Sequence, residues 1–204
     1  MSTFALVTVL LVEVWAAQPA APAIGQPAPA FSVTDATGAV RSLGDYKGKT
    51  VVLEWHAQSC SYVMKHYRTG AMQKLQKTWM DRGVVWLLVN SSGKDTPSYL
   101  TAEESLAYLA ERKITPTALL LDSEGTVGRA YGALTALHMA IVDPGGRLVY
   151  RGAVDDQPRV EANSLANARN YVDQALTELS QKKPVSVSTS EPYGCSLHYA
   201  APKK

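Results

Sequence analysis

Three short apolar runs along the chain have the length and composition of strands that are buried on both faces. They read TVVLEWH at 50–56, GVVWLLVN at 83–90 and TALLLD at 117–122. Rich in Val, Leu and Trp, and followed by polar or turn-forming residues, they predict the central strands of a sheet. Two more strand signals flank them: a short strand in PAPAFSVTDATGAV, closed by a glycine turn, and a hairpin in HMAIVDPGGRLVYRG.

Apolar residues at helical spacing fill the intervals between these strands. The spacing runs over 60–81, with a break near Gly70, and again along TAEESLAYLAERK, where Thr101 and Glu104 have the spacing of a capping box. The stretch VEANSLANARNYVDQALTEL, from about 160, predicts a long amphipathic helix. Strands that alternate with helices and then end in a hairpin predict an α/β protein, a three-layer sandwich with a mixed central sheet.

The first residues have features of an export signal. FALVTVLLVEVWAA, at 4–17, is apolar, has signal-peptide length and ends in small residues that suit cleavage near Ala17. Against this, no Lys or Arg precedes the run and Glu13 interrupts it, so a buried or interfacial helix, or a mis-assigned start codon, stays open. We expect a signal peptide at 1–17 and an exported protein, periplasmic or otherwise extracytoplasmic.

The rest of the chain divides into three predicted parts. A Pro/Ala-rich linker at 18–23 precedes one α/β domain at 24–183, and a polar, irregular tail at 184–204 carries Cys195. Past Ala17 no apolar run approaches membrane-spanning length, so we expect no stable membrane span in the mature chain.

Composition narrows the possible partners. The formal net charge of the 204-residue chain is +2, so the basic field that nucleic-acid binding needs is missing and we expect no nucleic-acid partner. The chain has two cysteines. In an oxidising compartment two cysteines can form a stable or a cycling disulfide.

Cys60 is the first candidate for chemistry. It follows a predicted strand and precedes a predicted helix, and the positive end of a helix favours a thiolate over a thiol. Lys65 and His66, one to two turns further on, either add positive potential or face solvent. The alternative for Cys60 itself is a small buried side chain without reactivity.

Glu54 is the second candidate. It stands six residues before Cys60, inside an otherwise apolar strand. A carboxyl buried there could relay a proton to or from the sulfur chemistry. Alternatively, Glu54 lies at a strand edge and pairs with a lysine.

Four segments, in order from 24 to about 156, resemble the redoxin branch of the thioredoxin superfamily, the alkyl hydroperoxide reductase/thiol-specific antioxidant (AhpC/TSA) family and its peroxiredoxin-like relatives. The segments are IGQPAPAFSVTD, LGDYKGKTVVLEWHAQSC, LLLDSEGTVGRAYGA and HMAIVDPGGRLVYRGAVDD. The resemblance implies a thioredoxin-like fold for 24–183, with Cys60 at the position of the reactive thiol and Glu54 where such proteins often carry a buried acid. It implies no prosthetic group.

The chain departs from the family pattern at three positions. Val63 stands where a Cys-x-x-Cys motif would have its second cysteine. Ala57 replaces the threonine that peroxiredoxins place three residues before the reactive cysteine. Leu137 stands where thioredoxins present a cis-proline and peroxiredoxins have an arginine nearby, and since a cis bond before a non-proline residue costs about 3 kcal/mol we expect a trans bond and a different docking loop.

Cys195 is the remaining candidate partner of Cys60. Peroxiredoxin-like relatives end in a tail similar to Tyr193-Gly194-Cys195-Ser196, which implies that Cys60 is the nucleophile and Cys195 the resolving thiol. The resemblance then implies an antioxidant or thiol-disulfide exchange activity, with a thiol or disulfide protein or a hydroperoxide as partner.

Three alternatives stay open for the two cysteines. A permanent Cys60–Cys195 bridge would make the protein a non-catalytic scaffold. Two free thiols with a disordered tail are a second state. A copper or zinc module is the third, with His138 beside the cysteines or with the Cys195-x-x-His198 spacing as ligands.

Overall fold

A mixed five-stranded sheet forms the centre of the computed structural model, which describes residues 21–201. The predicted signal peptide at 1–17 and the first three residues of the predicted linker lie outside the described residues. The strand order is β5-β4-β3-β6-β7. Strands β3, β4 and β5 are parallel to one another, and β6 is antiparallel to both of its neighbours, β3 and β7. The bounds are Val51–Trp55 for β3, Val85–Asn90 for β4, Ala118–Leu121 for β5, Met139–Val142 for β6 and Leu148–Gly152 for β7. A separate hairpin consists of β1 (Ser32–Thr34) and β2 (Val40–Ser42).

The three central runs form strands because both of their faces are covered. Every residue of β3 and β4 is buried, as the continuous apolar pattern predicted. Consecutive residues of a strand face opposite sides, and β3 shows both layers. Glu54 faces the layer of helices α1 (Ser61–Arg68) and α2 (Ala71–Met80), whereas Trp55 contacts Tyr131 of helix α4 (Thr126–Tyr131). The predicted three-layer α/β sandwich is confirmed.

The predicted helix boundaries hold where local signals are strong. Gly70 separates α1 from α2 in a left-handed conformation, φ +75°. Helix α3 (Ala102–Glu111) begins with the expected capping box, in which Glu104 N–H donates to Thr101 at 3.2 Å and Thr101 N–H donates to the Glu104 carboxylate at 2.8 Å. Helix α4 was not predicted; it is six residues long and bounded by two glycines.

The predicted long helix from about 160 is wrong in its first half. Residues 162–167 form a 3₁₀ helix, and the α-helix α5 covers only Tyr171–Ser180. The Asn170 side chain accepts a hydrogen bond of 2.8 Å from Asp173 N–H and so caps the later start. Asn and Ser residues upstream favour such local bonds over a continuous helix.

None of the helices within residues 21–201 is long and apolar enough to cross a membrane. Beyond α5 the chain forms no regular element up to residue 201, yet it stays against the domain, and isolated bridges pair Thr189 with Arg151 and Ser196 with Thr135. The second of these bridges lies next to Cys195.

Candidate active site

Cys60 lies at the N-cap of α1, where β3 passes into the helix. Its backbone is extended (φ −81°, ψ 122°) and its carbonyl accepts the first helical bond, from Met64 N–H at 2.9 Å. The residue is 1% exposed. The strand-then-helix pattern therefore places the sulfur at the positive end of α1, as predicted from sequence.

Cys60 is bonded to Cys195 in a disulfide that joins positions 135 residues apart, with a Cα–Cα distance of 5.7 Å. The Cys195 N–H also points at the Cys60 sulfur, at 3.2 Å. The predicted pairing of the two cysteines is thus confirmed, and in this state neither is the free thiol of the disordered-tail alternative.

The segment around Cys195 is bonded to residues 134–136 through an isolated antiparallel bridge. Ala136 N–H donates to the Cys195 carbonyl at 2.8 Å, and Leu197 N–H donates to the Leu134 carbonyl at 2.9 Å. Gly194 permits this approach, because a Cβ there would overlap the Ala136 carbonyl oxygen and the residue has φ +136°. The tail is therefore docked through its backbone as well as through sulfur.

Leu137 ends the segment that receives the tail. All peptide bonds within residues 21–201 are trans, which confirms the expectation for Leu137. Leu137 is fully buried and has φ +64°, a left-handed conformation that is costly for a non-glycine residue. A turn in which His138 N–H donates to Thr135 O (3.2 Å) and a bond from Leu137 N–H to Trp55 O (2.7 Å) hold it there.

Glu54 is fully buried on a central strand, so the alternative of an edge position with a lysine partner is wrong. Its carboxylate accepts hydrogen bonds from Tyr67 Oη (2.8 Å), Gln76 Nε2 (3.0 Å) and Trp86 Nε1 (2.8 Å). These donors are neutral, and they come from α1, α2 and β4. The carboxyl therefore lies in the layer beneath the helix that carries Cys60 at its start.

Lys65 and His66 do not face solvent, since they are 4% and 2% exposed. Lys65 Nζ donates to the Gln157 carbonyl at 2.8 Å. Burial, helped by the charge of Lys65, lowers the pKa of His66 to about 4, so His66 is neutral near pH 7 and adds no positive potential to the cysteine. Burial lowers the pKa of Lys65 as well.

Asp155 and Tyr193 are two site residues that sequence reasoning missed. Asp155 is 2% exposed and accepts a 2.5 Å bond from the Tyr193 hydroxyl. Burial raises the pKa of Asp155, and burial together with Asp155 raises the pKa of Tyr193. The available signal was the place of Tyr193, two residues before Cys195.

The three family departures are visible in the site. Val63 is fully buried in α1 and offers no second thiol next to Cys60. Ala57, also buried, provides only its carbonyl to Cys60 N–H, at 3.1 Å. Ala57 does not supply the hydroxyl, and Leu137 does not supply the guanidinium, that would hold a peroxide in a peroxiredoxin.

The described part of the chain offers no set of ligands for the copper or zinc site that was the third alternative. Within residues 21–201 no group of three or more His, Cys, Asp or Glu side chains is placed to hold a metal ion. His198 is exposed on the tail, and His138 is buried against the Trp55 ring at 5.6 Å.

Comparison with known proteins agrees with these features. The AhpC/TSA family matches residues 24–151, more than half of the chain. A search among curated proteins returns no match.

Solved structures share the fold at low identity. A hypothetical protein from Sinorhizobium meliloti 1021 is 21% identical with a TM-score of 0.75, covering 89% of this chain and 97% of that one. An uncharacterized conserved protein from Geobacillus kaustophilus is 23% identical with a TM-score of 0.75, covering 89% and 94%. The thioredoxin domain of a thiol-disulfide oxidoreductase from Bacteroides vulgatus is 26% identical with a TM-score of 0.51, covering 64% and 89%.

Proposed function

Since the chain belongs to the AhpC/TSA family, as a redoxin of the thioredoxin superfamily, we propose that it acts as an exported thiol-disulfide oxidoreductase with Cys60 as nucleophile and Cys195 as resolving thiol. The observation that carries the proposal is the bridge itself, which joins the cysteine at the start of α1 to a cysteine on a docked tail. The name of the Bacteroides vulgatus relative agrees with this class of reaction.

The proposed reaction is a two-step exchange. In the reduced protein the Cys60 thiolate, favoured by the N-terminus of α1, attacks a disulfide of a polypeptide substrate. A Cys60–substrate disulfide forms, and one substrate sulfur leaves and takes up a proton. Cys195 then attacks Cys60, and the second substrate sulfur leaves as a thiol. The substrate has gained two electrons, and the chain, which lost them, holds its own disulfide until a dithiol partner protein reduces that bridge again.

Glu54 enters the proposal as the acid that exchanges a proton with the thiols. It is the carboxyl of the strand that leads into the Cys60 turn; it accepts from three neutral donors, and His56 Nδ1 lies 3.8 Å from it. A buried carboxyl beside an imidazole is of the kind that transfers protons in enzymes.

Hydroperoxide reduction is the second candidate, because the family name includes it. Ala57 and Leu137 argue against it, since neither supplies the hydroxyl or guanidinium that aligns a peroxide in peroxiredoxins. A purely structural bridge is the third. The partial exposure of Cys195 favours a bridge that a partner can reach over a sealed one.

Disulfide mapping by mass spectrometry separates the three. The reduced chain is treated either with a disulfide-bonded peptide or with a hydroperoxide, in parallel with Cys195→Ser and Cys60→Ser variants. We expect rapid closure of the Cys60–Cys195 bridge by the peptide, a trapped Cys60–peptide adduct in Cys195→Ser, and no adduct in Cys60→Ser. Faster oxidation of Cys60 by hydroperoxide would support the peroxidase instead, and a bridge that neither forms nor opens would leave only the scaffold.

Export is part of the proposal. It is supported by the apolar segment at 4–17 and by the disulfide, because such bonds persist in oxidising compartments. Expression in a bacterium with an outer membrane, followed by N-terminal sequencing of the periplasmic fraction, should give a mature chain that begins near Ala17. A full-length chain confined to the cytoplasm would contradict it.

A further inference from the structure

The Tyr193 side chain, two residues before Cys195, contacts four residues of the domain. We call this set of contacts the Tyr193 pocket; it consists of Tyr62, Lys65 and His66 of α1 and of Asp155. The Tyr193 ring lies 5.7 Å from the Tyr62 ring and 5.4 Å from Lys65 Nζ, measured to the ring centroid. Its hydroxyl lies 2.5 Å from the Asp155 carboxylate and 3.2 Å from His66 Nε2.

The polar groups of the pocket match a phenol. The hydroxyl has one proton, which it donates to Asp155, so it accepts from His66 Nε2–H. His66 and Asp155 are 3.7 Å apart and almost completely buried. When Tyr193 leaves, both lose this partner, and a buried polar group without its partner is unfavourable. An occupant with a hydroxyl restores the bonds, whereas a phenyl ring restores only the packing.

The tail occupies the positions that a substrate strand would take in the exchange reaction. It is bonded to Cys60 through sulfur, it pairs with Ala136 through its backbone, and it fills a side-chain pocket two residues before its cysteine. At Gly194, between Tyr193 and Cys195, φ is +136°, so the segment is not a regular strand, and the glycine lets the Tyr193 ring enter the pocket while Cys195 is bonded to Cys60. The tail must leave before a substrate can enter, and the pocket is then vacant.

We propose that the Tyr193 pocket is a specificity subsite that binds an aromatic side chain, preferably tyrosine, two residues before the cysteine of a polypeptide disulfide. This inference rests on the proposed exchange function. The substrate class is a chain with the order Tyr-Gly-Cys, and the chain's own Tyr193-Gly194-Cys195 is the internal copy that displaces it. In the reaction, the Cys60 thiolate attacks the substrate disulfide, a Cys60–substrate disulfide forms, and the other substrate sulfur leaves.

Activated peptides test the subsite. The probes are Ala-X-Gly-Cys-Ala peptides, with X as Tyr, Phe or Ala, each carrying thionitrobenzoate on its cysteine. Glycine is kept before the cysteine because Gly194 contacts Ala136. The protein is the reduced full-length Tyr193→Ala, Cys195→Ser variant, in which the tail neither fills the pocket nor resolves the adduct. Release of thionitrobenzoate by Cys60 measures attack on each peptide.

We expect the Tyr peptide to react about tenfold faster than the Phe peptide, the factor of one hydrogen bond to a charged group, and the Ala peptide to react more slowly than the Phe peptide because it also loses the ring packing. An added Asp155→Ala substitution should remove most of the difference between Tyr and Phe. Equal rates for all three peptides would overturn the subsite and leave the exchange function standing. Rates no higher than those of a Cys60→Ser control would overturn both. Because the three peptides meet the same protein, the comparison does not depend on how a pocket variant folds.

Discussion

The backbone N–H of Ala136 donates to the carbonyl oxygen of Cys195 at 2.8 Å, next to an isolated antiparallel bridge between Thr135 and Ser196. The contact uses main-chain groups, and Gly194 permits the close approach to Ala136. In the proposed exchange reaction, a substrate with glycine at the same place would compete with the tail for this edge.

Gly194→Ala should shift the equilibrium from disulfide to dithiol. The new Cβ would overlap the Ala136 carbonyl oxygen, and the residue would be strained at φ +136°. Overpacking of this kind costs about 1–3 kcal/mol, which is about 5- to 150-fold in the equilibrium constant. Titration against a dithiol/disulfide buffer measures the shift.

Gly38→Ala is the matched control for that variant. Gly38 also has a positive φ, +87°, but a Cβ added there would meet no atom within 4 Å. The variant should lose about 1 kcal/mol of stability and keep the redox equilibrium unchanged. An equal shift in both variants would show that backbone strain alone, and not the tail contact, controls the bridge.

Reduction of the bridge should lower the free energy of unfolding markedly. The disulfide closes a loop over a separation of 135 residues, for which chain entropy gives about 5 kcal/mol. Denaturant titrations of oxidised and reduced protein, with Cys195→Ser as a permanently open reference, measure the difference. A loss below about 1 kcal/mol would mean that the bridge restricts the unfolded chain very little.

Glu54→Gln should destabilise the protein by about 1–3 kcal/mol, because an amide NH₂ would face groups that donate to the carboxylate. Tyr67→Phe, which removes one of the three donors, should cost about 1 kcal/mol. If Glu54 exchanges protons with the thiols, only Glu54→Gln changes the pH profile of the exchange rate. Identical profiles in both variants would leave Glu54 a structural residue.

His138 should make stability fall in acid. Burial lowers its pKa to about 4, with a contribution from Arg151, and neither ring nitrogen has a hydrogen-bond partner within the described residues. The unfolded chain takes up a proton below about pH 6.5, whereas the native state does not until about pH 4, so stability is lost as pH falls through that window. The loss amounts to about 3 kcal/mol for a shift of this size.

His138→Phe removes that loss while keeping a ring against Trp55. Unfolding measured at pH 7 and at pH 4 should show a smaller difference in the variant than in the parent chain. His198→Gln, at an exposed histidine, is the control and should leave the difference as it is. A parent and a His138→Phe variant with the same acid slope would contradict the assignment.

Local patterns accounted for most of the fold. The apolar runs of β3, β4 and β5, the break at Gly70 and the capping box at Thr101 each depend on a few neighbouring residues, and all were predicted. The helix expected from about 160 was too long because Asn and Ser side chains compete for local hydrogen bonds, which periodicity does not register. Helix α4 was missed because its six residues are too few to show the periodicity of an amphipathic helix.

Of the candidate site, the sequence predicted the positions of single residues but not the contacts between residues far apart in the chain. The position of Cys60 follows from the strand-to-helix pattern, and its pairing with Cys195 came from resemblance. The contacts of Asp155 with Tyr193 and of Lys65 with Gln157 join residues far apart in the chain, and no local pattern specifies them. Burial also excludes both alternatives for His66, because the residue does not face solvent and is neutral near pH 7.

The tail also touches the domain where no sulfur is involved. Arg151 lies on β7, the last strand of the sheet, and its N–H and carbonyl are bonded to Ser188 and Ser190 of the tail, at 3.0 and 3.3 Å. Without these partners that strand presents open main-chain groups, which invite pairing with a second copy. The tail therefore also covers the edge of the sheet, and light scattering of a chain cut after Lys183 should reveal self-association that the intact oxidised chain lacks.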